Sequence, residues 1–402
     1  MTDTNVQASD GAVPSANPKP IERPADPRFS SGPCKKFPGY DVSLLSDAML
    51  GISHRGSART KLQEAIDRSA ALLGLPDDWR LAIVPASDTG AMEMTMWSAL
   101  GPKPVDVLVW ESFSNDWATD ALKQLKLDNA RVIQAEYGQL PDLGQVNPAH
   151  DVVFAYNGTT SGVKVPNLDW ISDLREGVVI CDATSAAFCM PMDFSKLDAV
   201  TWSWQKGLGG EAAHGMLAIG PRMVERLESF APDRALPKIF RMTKKGKLNE
   251  DLFKAATINT PSLLATEDLL VTLDWAERIG GLPELHRRSS ANFAALDAWV
   301  QTQDWIEWFC DAPECRSNTA MQMKVTAPQV ASLDEDAQWK AVAAMCKLLE
   351  AEGVALDIKA HRNGKPGFRI WGGPTVDADD VAKLGPWLSW AFETWKSQTA
   401  AA

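Results

Sequence analysis

Seven short β-like runs crowd into the stretch from residue 80 to 220, and that crowding limits the fold more than any other feature of the chain. They lie at Leu81–Val84, Val105–Trp110, Arg131–Gln134, Asp151–Ala155, Gly177–Cys181, Ala199–Trp204 and Gly215–Ile219. Several are apolar throughout instead of alternating apolar with polar, as strands do when a sheet is covered on both faces. Helical patterns separate several of them, notably over Ala91–Leu100 and Asp116–Leu125. Strand–helix alternation of this kind predicts an α/β domain with a mainly parallel seven-stranded sheet flanked by helices.

A helix is expected over Thr60–Leu73, where Leu62, Ala65, Ile66, Ala70 and Leu73 recur at helical spacing. Residues 261–300 read as long helix, broken at Gly280–Gly281 and Pro283. The last hundred or so residues mix apolar runs (Ala320–Val325, Phe368–Trp371) with helical patterns (Asp336–Glu350, Asp379–Trp395), which suggests a smaller α+β domain. Residues 1–27 hold five prolines and little to bury, and are expected to be a flexible tail. The predicted organisation is therefore a tail over 1–27, a large domain over 28–285 whose N-terminal segment partly packs with the small domain, and a small C-terminal domain over 286–402.

Composition narrows the class. The formal charge of −12 leaves no electrostatic footprint for nucleic acid. No apolar run approaches the ~18 residues of a membrane span, and the N-terminus has neither a basic nor an apolar signal region. Six cysteines are too sparse for a disulfide scaffold and read as reduced thiols, so a soluble, cytoplasmic protein is expected.

Chemistry concentrates at the ends of the apolar runs. The segment Trp202-Ser203-Trp204-Gln205-Lys206-Gly207 closes one run with a lysine and a glycine-rich turn. Desolvated among tryptophans, that amine would lose its charge readily and become a nucleophile, although an arbitrary lysine is more often a surface residue. Another run, Val178–Cys181, ends in Asp182. Ligands of open parallel sheets sit at the carboxyl ends of strands, so Asp182 and Lys206 would face one crevice if their strands are near neighbours. A lysine that forms an imine and a carboxylate that keeps a pyridinium nitrogen protonated are what pyridoxal phosphate requires.

Ser87-Asp88-Thr89-Gly90 follows the first clear strand and opens a helix. Backbone N–H groups at such a terminus bind phosphate, and the same signature equally fits ordinary N-capping by Ser87 or Asp88. Trp117 could stack on a planar ring or fill the core. Ser53-His54-Arg55-Gly56 and His361-Arg362 with Arg369 gather three arginines and two of the five histidines into two short segments, a hint of a polyanionic small substrate set against ordinary surface pairing. Asn259-Thr260-Pro261 precedes a long helix and reads as its N-cap with proline at the first position. The basic segment Pro237–Lys254 is either surface or a cover for the site.

As an ordered set these residues resemble the phosphoserine aminotransferases of the fold-type-I, pyridoxal-phosphate-dependent enzymes, from about Phe29 to the C-terminal helix. The anchors are Phe29-Ser30-Ser31-Gly32-Pro33, Ser53-His54-Arg55-Gly56, Asn157 through Gly162, Asp182, Gln205-Lys206, Asn259-Thr260-Pro261 and His361-Arg362. The resemblance implies that Lys206 carries the cofactor covalently and is the catalytic base, that Asp182 pairs with the ring nitrogen, that Trp117 stacks on the ring and that Thr159 bonds its 3-hydroxyl side. It implies that Asp88, Thr89 and Gln205 hold the cofactor phosphate, joined by Asn259 and Thr260 of a neighbouring subunit in a homodimer. His54 and Arg55 of one chain, with His361 and Arg362 of the other, would bind the substrate phosphate, and Arg369 the substrate carboxylate. No metal is implied. Many family members carry Gly-Arg where this chain has Asp88-Thr89, so the acidic side chain must point away from the phosphate or cap the helix. The implied reaction interconverts 3-phosphohydroxypyruvate and L-glutamate with O-phospho-L-serine and 2-oxoglutarate, in serine and pyridoxine biosynthesis. Alternatives are a serine– or alanine–glyoxylate aminotransferase, a cysteine desulfurase using Cys310 or Cys315, and a non-catalytic regulator of the same fold.

Overall fold

The computed structural model describes residues 18–45 and 48–400. Its centre is a seven-stranded sheet of β1 (Arg80–Pro85), β2 (Val105–Val109), β3 (Ala130–Gln134), β4 (Asp151–Ala155), β5 (Val179–Asp182), β6 (Ala199–Ser203) and β7 (His214–Ile219), in spatial order β1-β7-β6-β5-β4-β2-β3. β2, β3, β4, β5 and β6 pair parallel along the sheet, while β7 pairs antiparallel with both β6 and β1. Six strands therefore point one way and only β7 runs back, so the carboxyl ends of β1, β2, β4, β5 and β6 share one edge. The register sets Ala155 of β4 beside Asp182 of β5, and Asp182 beside Thr201 of β6.

Both faces of the sheet are buried, as the unbroken apolar runs require. Leu81 and Ile83 of β1 join the cluster on one face, and Ala82 and Val84 the cluster on the other. Helices α1 (Arg59–Leu73), α2 (Ser87–Ala99), α3 (Ser112–Thr119) and α4 (Pro221–Ser229) belong to the same unit. α2 and α3 begin four residues before the apolar periodicity announces them. α3 is capped by an acid, Glu111, which accepts a hydrogen bond from the Ser114 N–H at 2.6 Å, while the Ser114 hydroxyl closes the reciprocal half of the capping box.

The long helical stretch divides into α5 (Leu263–Arg278) and α6 (Gly281–Val300), parted where Gly280 and Gly281 take φ of 123° and 69°. Pro283 falls in the first turn of α6, where its missing N–H costs nothing. Beyond it, β8 (Ile306–Trp308), β9 (Ala320–Val325) and β10 (Phe368–Trp371) form an antiparallel sheet, with α7 (Glu335–Ala351) and α8 (Ala378–Ala400) beside it.

The stretch expected to be a flexible tail departs from that expectation over residues 18–27. Trp387 Nε1 on α8 donates to the Glu22 carbonyl at 2.7 Å, and the Arg23 guanidinium lies 5.0 Å from the Trp387 ring centroid. The Ala25 N–H donates to Asp380 at 2.6 Å, and Leu356 N–H to the Pro27 carbonyl at 2.7 Å. The segment has no core of its own, but it supplies cations and carbonyls to the tryptophan face of α8, a complementarity that local composition does not reveal. Residues 1–17 lie outside the described residues.

Candidate active site

The turn from β1 into α2 comes first. Ala86 and Ser87 have φ of 65° and 54°, and neither Ser87 nor Asp88 caps the helix: the N-cap position is Ala86, with no side-chain acceptor. The N–H groups of the first turn of α2 are thus left without a capping side chain, the arrangement that suits an anion at a helix N-terminus. Glycine is required at position 90, since a Cβ there would sit 2.1 Å from the Pro85 carbonyl oxygen.

Across the sheet edge, Asp182 ends β5 and is buried. Its Oδ2 accepts from Trp117 Nε1 at 3.1 Å and its Oδ1 from the Thr184 N–H at 2.9 Å. Trp117 is buried in the core and also lines a cavity. Lys206, three residues beyond β6, is 8% exposed, and its ammonium contacts the Ser31 carbonyl. Burial pushes the Lys206 pKa below that of an ordinary lysine; the neighbouring Arg369 charge works in the same direction. Gly32 packs so tightly on this amine that a Cβ would come within 2.6 Å of Nζ.

These groups enclose a cavity of about 270 Å³, lined among others by Gly32, Ser87, Thr89, Trp117, Asp182 and Lys206. Thr159, Gln205 and Asn157 line it too, with Thr184, Ser203, Glu111 and Phe113, to which the sequence assigned no role. The Thr159 hydroxyl donates to Ser185 Oγ at 2.9 Å, and Asn157 Nδ2 donates to the same oxygen at 2.8 Å. Glu111 accepts from Thr160 Oγ1 at 2.9 Å, and burial pushes its pKa up to about 7.

Asp88, in the first turn of α2, is buried with its Oδ1 unpartnered, and burial together with the nearby Asp182 charge raises its pKa well above the usual carboxylate range. Only its backbone is left for an anion at the turn.

The cavity fits pyridoxal phosphate. The buried oxygens of Ser203, Gln205 and Thr184 have no protein partner. They stand between the open N-terminus of α2, the Asp182 carboxylate and the Lys206 amine, which suit a phosphate, a ring nitrogen and an aldehyde respectively. A larger cleft of about 660 Å³, between Met190–Asp193 and Arg316–Asn318, contains none of the residues the sequence singled out.

The substrate residues gather only in part. Arg369, on β10, reaches the Thr159 carbonyl with Nη1 at 3.4 Å, and its buried Nε has no partner. The His361 ring lies 5.8 Å from that of Phe113, centroid to centroid, at the cavity mouth. Arg362, Arg55, Asn259 and Thr260 are exposed, and His54 is half-buried; none lines the cavity of its own chain. The expected cap at Asn259–Pro261 is displaced: Ser262 caps α5, accepting from the Ala265 N–H at 3.2 Å, because the helix starts at Leu263. Asn259 and Thr260 are therefore not used as caps.

The basic segment Pro237–Lys254 folds outside the cavity lining. Phe240, Met242, Leu248, Leu252 and Phe253 pack into the cluster that includes α2, leaving Lys238, Arg241, Lys244, Lys245 and Lys247 exposed. Cys310 and Cys315 are both buried and do not line the cavity; burial pushes the Cys310 thiol up to about 11, unlike a desulfurase nucleophile.

No family model matches the chain. The phosphoserine aminotransferase of Methanosarcina mazei is 53% identical over 376 residues, covering 93% of this chain and 99% of its relative. Among solved structures, a phosphoserine aminotransferase from Cytophaga hutchinsonii superposes with a TM-score of 0.77 at 19% identity, covering 91% of this chain and 99% of that one. The pyridoxal-phosphate-bound phosphoserine aminotransferase of Trichomonas vaginalis superposes with a TM-score of 0.71 at 18% identity, covering 90% and 99%.

Proposed function

The chain belongs to the phosphoserine aminotransferase family, and from that premise we propose which of its residues carry the reaction. The enzyme is a pyridoxal-phosphate-dependent transaminase that interconverts 3-phosphohydroxypyruvate and L-glutamate with O-phospho-L-serine and 2-oxoglutarate. Bound pyridoxal phosphate supplies the electron sink that amino transfer needs.

Lys206 binds the cofactor and serves as the base. Burial lowers its pKa and so favours the neutral amine, whose Nζ can take the Cα proton of the amino-acid substrate and later return it. Asp182 holds the ring nitrogen, while Trp117 Nε1 fixes one oxygen of that carboxylate and covers the ring with its indole. Thr159 meets the 3-hydroxyl side. The N–H groups at Asp88 and Thr89, with Gln205 and Ser203, hold the phosphate, joined by Asn259 and Thr260 of the partner subunit. Arg369, whose buried Nε has no partner, takes the substrate carboxylate.

The substrate phosphate goes to His361 and Arg362, with His54 and Arg55 of the partner subunit. The same donors serve glutamate's γ-carboxylate in the other half-reaction. A homodimer is supported by the exposed Val42, Leu44, Leu50 and Ile52, an apolar stretch just before the Ser53–Gly56 loop. The phosphate cluster also supports use of the phosphorylated hydroxythreonine precursor of pyridoxine. Among the described residues no helix is long and apolar enough to cross a membrane, and the six free, buried cysteines support a reducing, cytoplasmic setting.

The observation that carries this reading is the buried Lys206 amine in one cavity with the Asp182 carboxylate, at the edge where six strand directions agree. It is tested by the visible absorbance of the purified, cofactor-loaded protein. Bleaching by O-phospho-L-serine but hardly by L-serine or L-alanine is expected; bleaching by serine or alanine instead would favour a glyoxylate-type enzyme. Absence of a visible band after addition of pyridoxal phosphate would remove Lys206 from its role.

A further inference from the structure

We propose that Glu111 is a positioning residue for Arg369: its carboxyl group holds the Thr159–Thr160 peptide by the N–H, so that the carbonyl at the other end of the same peptide is aimed at the guanidinium that takes the substrate carboxylate. The inference rests on the reading of Arg369 as that carboxylate's partner.

Glu111 is buried between β2 and α3, and its two oxygens serve different elements. Oε1 accepts from the Ser114 N–H at 2.6 Å and caps α3. Oε2 accepts twice from Thr160, from Oγ1 at 2.9 Å and from the N–H at 3.3 Å. The Thr160 hydroxyl in turn accepts from the Ser112 N–H at 3.2 Å, which closes the tie from the helix side. Capping alone needs one oxygen, and the shorter serine, threonine, aspartate and asparagine are the usual residues for it. The longer glutamate reaches a second element as well. That element is the hairpin in which Asn157–Gly158 pairs antiparallel with Val163–Lys164. Its backbone is pressed onto Glu111: a Cβ at Gly158 would come within 2.8 Å of Glu111 Cγ, and equally close to Trp110 Nε1, which donates to the Val163 carbonyl at 3.0 Å.

A trans peptide is planar, with its N–H and C=O pointing in opposite directions. The Thr160 N–H and the Thr159 C=O are the two ends of one such unit. One end donates to Glu111, and the other accepts from Arg369 Nη1 at 3.4 Å. Holding the first end therefore sets the direction of the second. Among the described residues the Arg369 side chain makes no ion pair and no other hydrogen bond, so the Thr159 carbonyl is what orients the guanidinium while its Nε stays unpartnered. The same two carboxyl oxygens set the distance between the hairpin that carries Thr159 and the helix that carries Trp117.

The test uses variants of the cofactor-loaded enzyme. Glu111→Ser keeps a good helix cap but is too short to reach Thr160, whereas Thr160→Val removes the hydroxyl from the hairpin side and leaves the cap alone. The KM for phosphoserine and for glutamate should rise about tenfold in Glu111→Ser, and by less in Thr160→Val, which keeps the N–H. In an Arg369→Lys background Glu111→Ser should add little, because the group it positions has gone. The visible circular dichroism of the bound cofactor, which reads ring geometry without turnover, should change in Glu111→Ser as hairpin and helix shift apart. Wild-type KM values and dichroism in Glu111→Ser would make the residue a helix cap only and overturn the proposal. So would an effect of Glu111→Ser that multiplies that of Arg369→Lys in full. If Glu111→Ser does not fold, Thr160→Val in the same cycle is judged by the same two outcomes. Unchanged KM values in Arg369→Lys itself would remove the reading of Arg369, and the positioning role with it.

Discussion

Trp117 is at once a core residue and part of the cavity wall. Its indole projects from α3 into the buried apolar cluster on one face of the sheet, yet its N–H is spent on Asp182 at 3.1 Å. Trp117→Phe keeps the aromatic face and most of the packing but removes that donor. Cofactor affinity should fall about tenfold, with a Tm close to wild type, as titration of the stripped protein with pyridoxal phosphate would show. A fall in Tm without loss of affinity would make the residue a packing group only. Arg369 offers a second residue-scale test. A guanidinium can grip a carboxylate with two parallel bonds and an ammonium cannot. Arg369→Lys should raise the KM for both phosphoserine and glutamate at least tenfold, with the visible band of the unliganded enzyme unchanged.

At the scale of elements, the β1–α2 turn carries the sharpest constraint. Its two left-handed residues swing the first N–H groups of α2 toward the cavity, and Pro85 packs directly on Gly90. Gly90→Ala must push the helix off the strand by more than a side-chain adjustment. A loss of about 1–3 kcal/mol is expected from overpacking, together with weaker cofactor binding, because the displaced atoms are those that would face the phosphate. Differential scanning calorimetry with and without pyridoxal phosphate separates the two effects. Sequence periodicity located α2 and α3 but placed their starts four residues late, since both helices open with polar residues beside the cavity: Ser87 to Gly90 in one, the Glu111 capping box in the other.

For the whole molecule, the expected substrate residues divide between those that converge in one chain and those left on its surface. His54, Arg55, Asn259 and Thr260 lie outside their own cavity. A shared site predicts complementation. Neither Lys206→Ala nor Arg55→Ala homodimers should turn over substrate efficiently, yet unfolding and refolding them together should restore about a quarter of wild-type activity, since half the dimers are mixed and each has one intact site. No recovery in refolded mixtures shown to contain heterodimers would mean that each site is built from one chain. Removal of residues 1–24 would uncover Trp387 and Trp390 by deleting Lys19 and Arg23. A Tm lowered by roughly 1–3 °C is expected, with little change in turnover.

Much of this molecule can be read without coordinates because its signals are local. Continuous apolar runs imply strands buried on both sides, and all seven were found in the sheet within about two residues at either end. A lysine and an aspartate at the ends of two such runs already suggest a cofactor that needs both. What required the tertiary structure was direction and distance. Only the strand order brings Lys206, Asp182 and the α2 turn to a single edge, and only packing decides that Asp88 is buried, that Ser262 caps α5 in place of Asn259, and that residues 18–27 lie on α8. Each of these depends on groups far apart in the chain, where composition and periodicity report only on near neighbours.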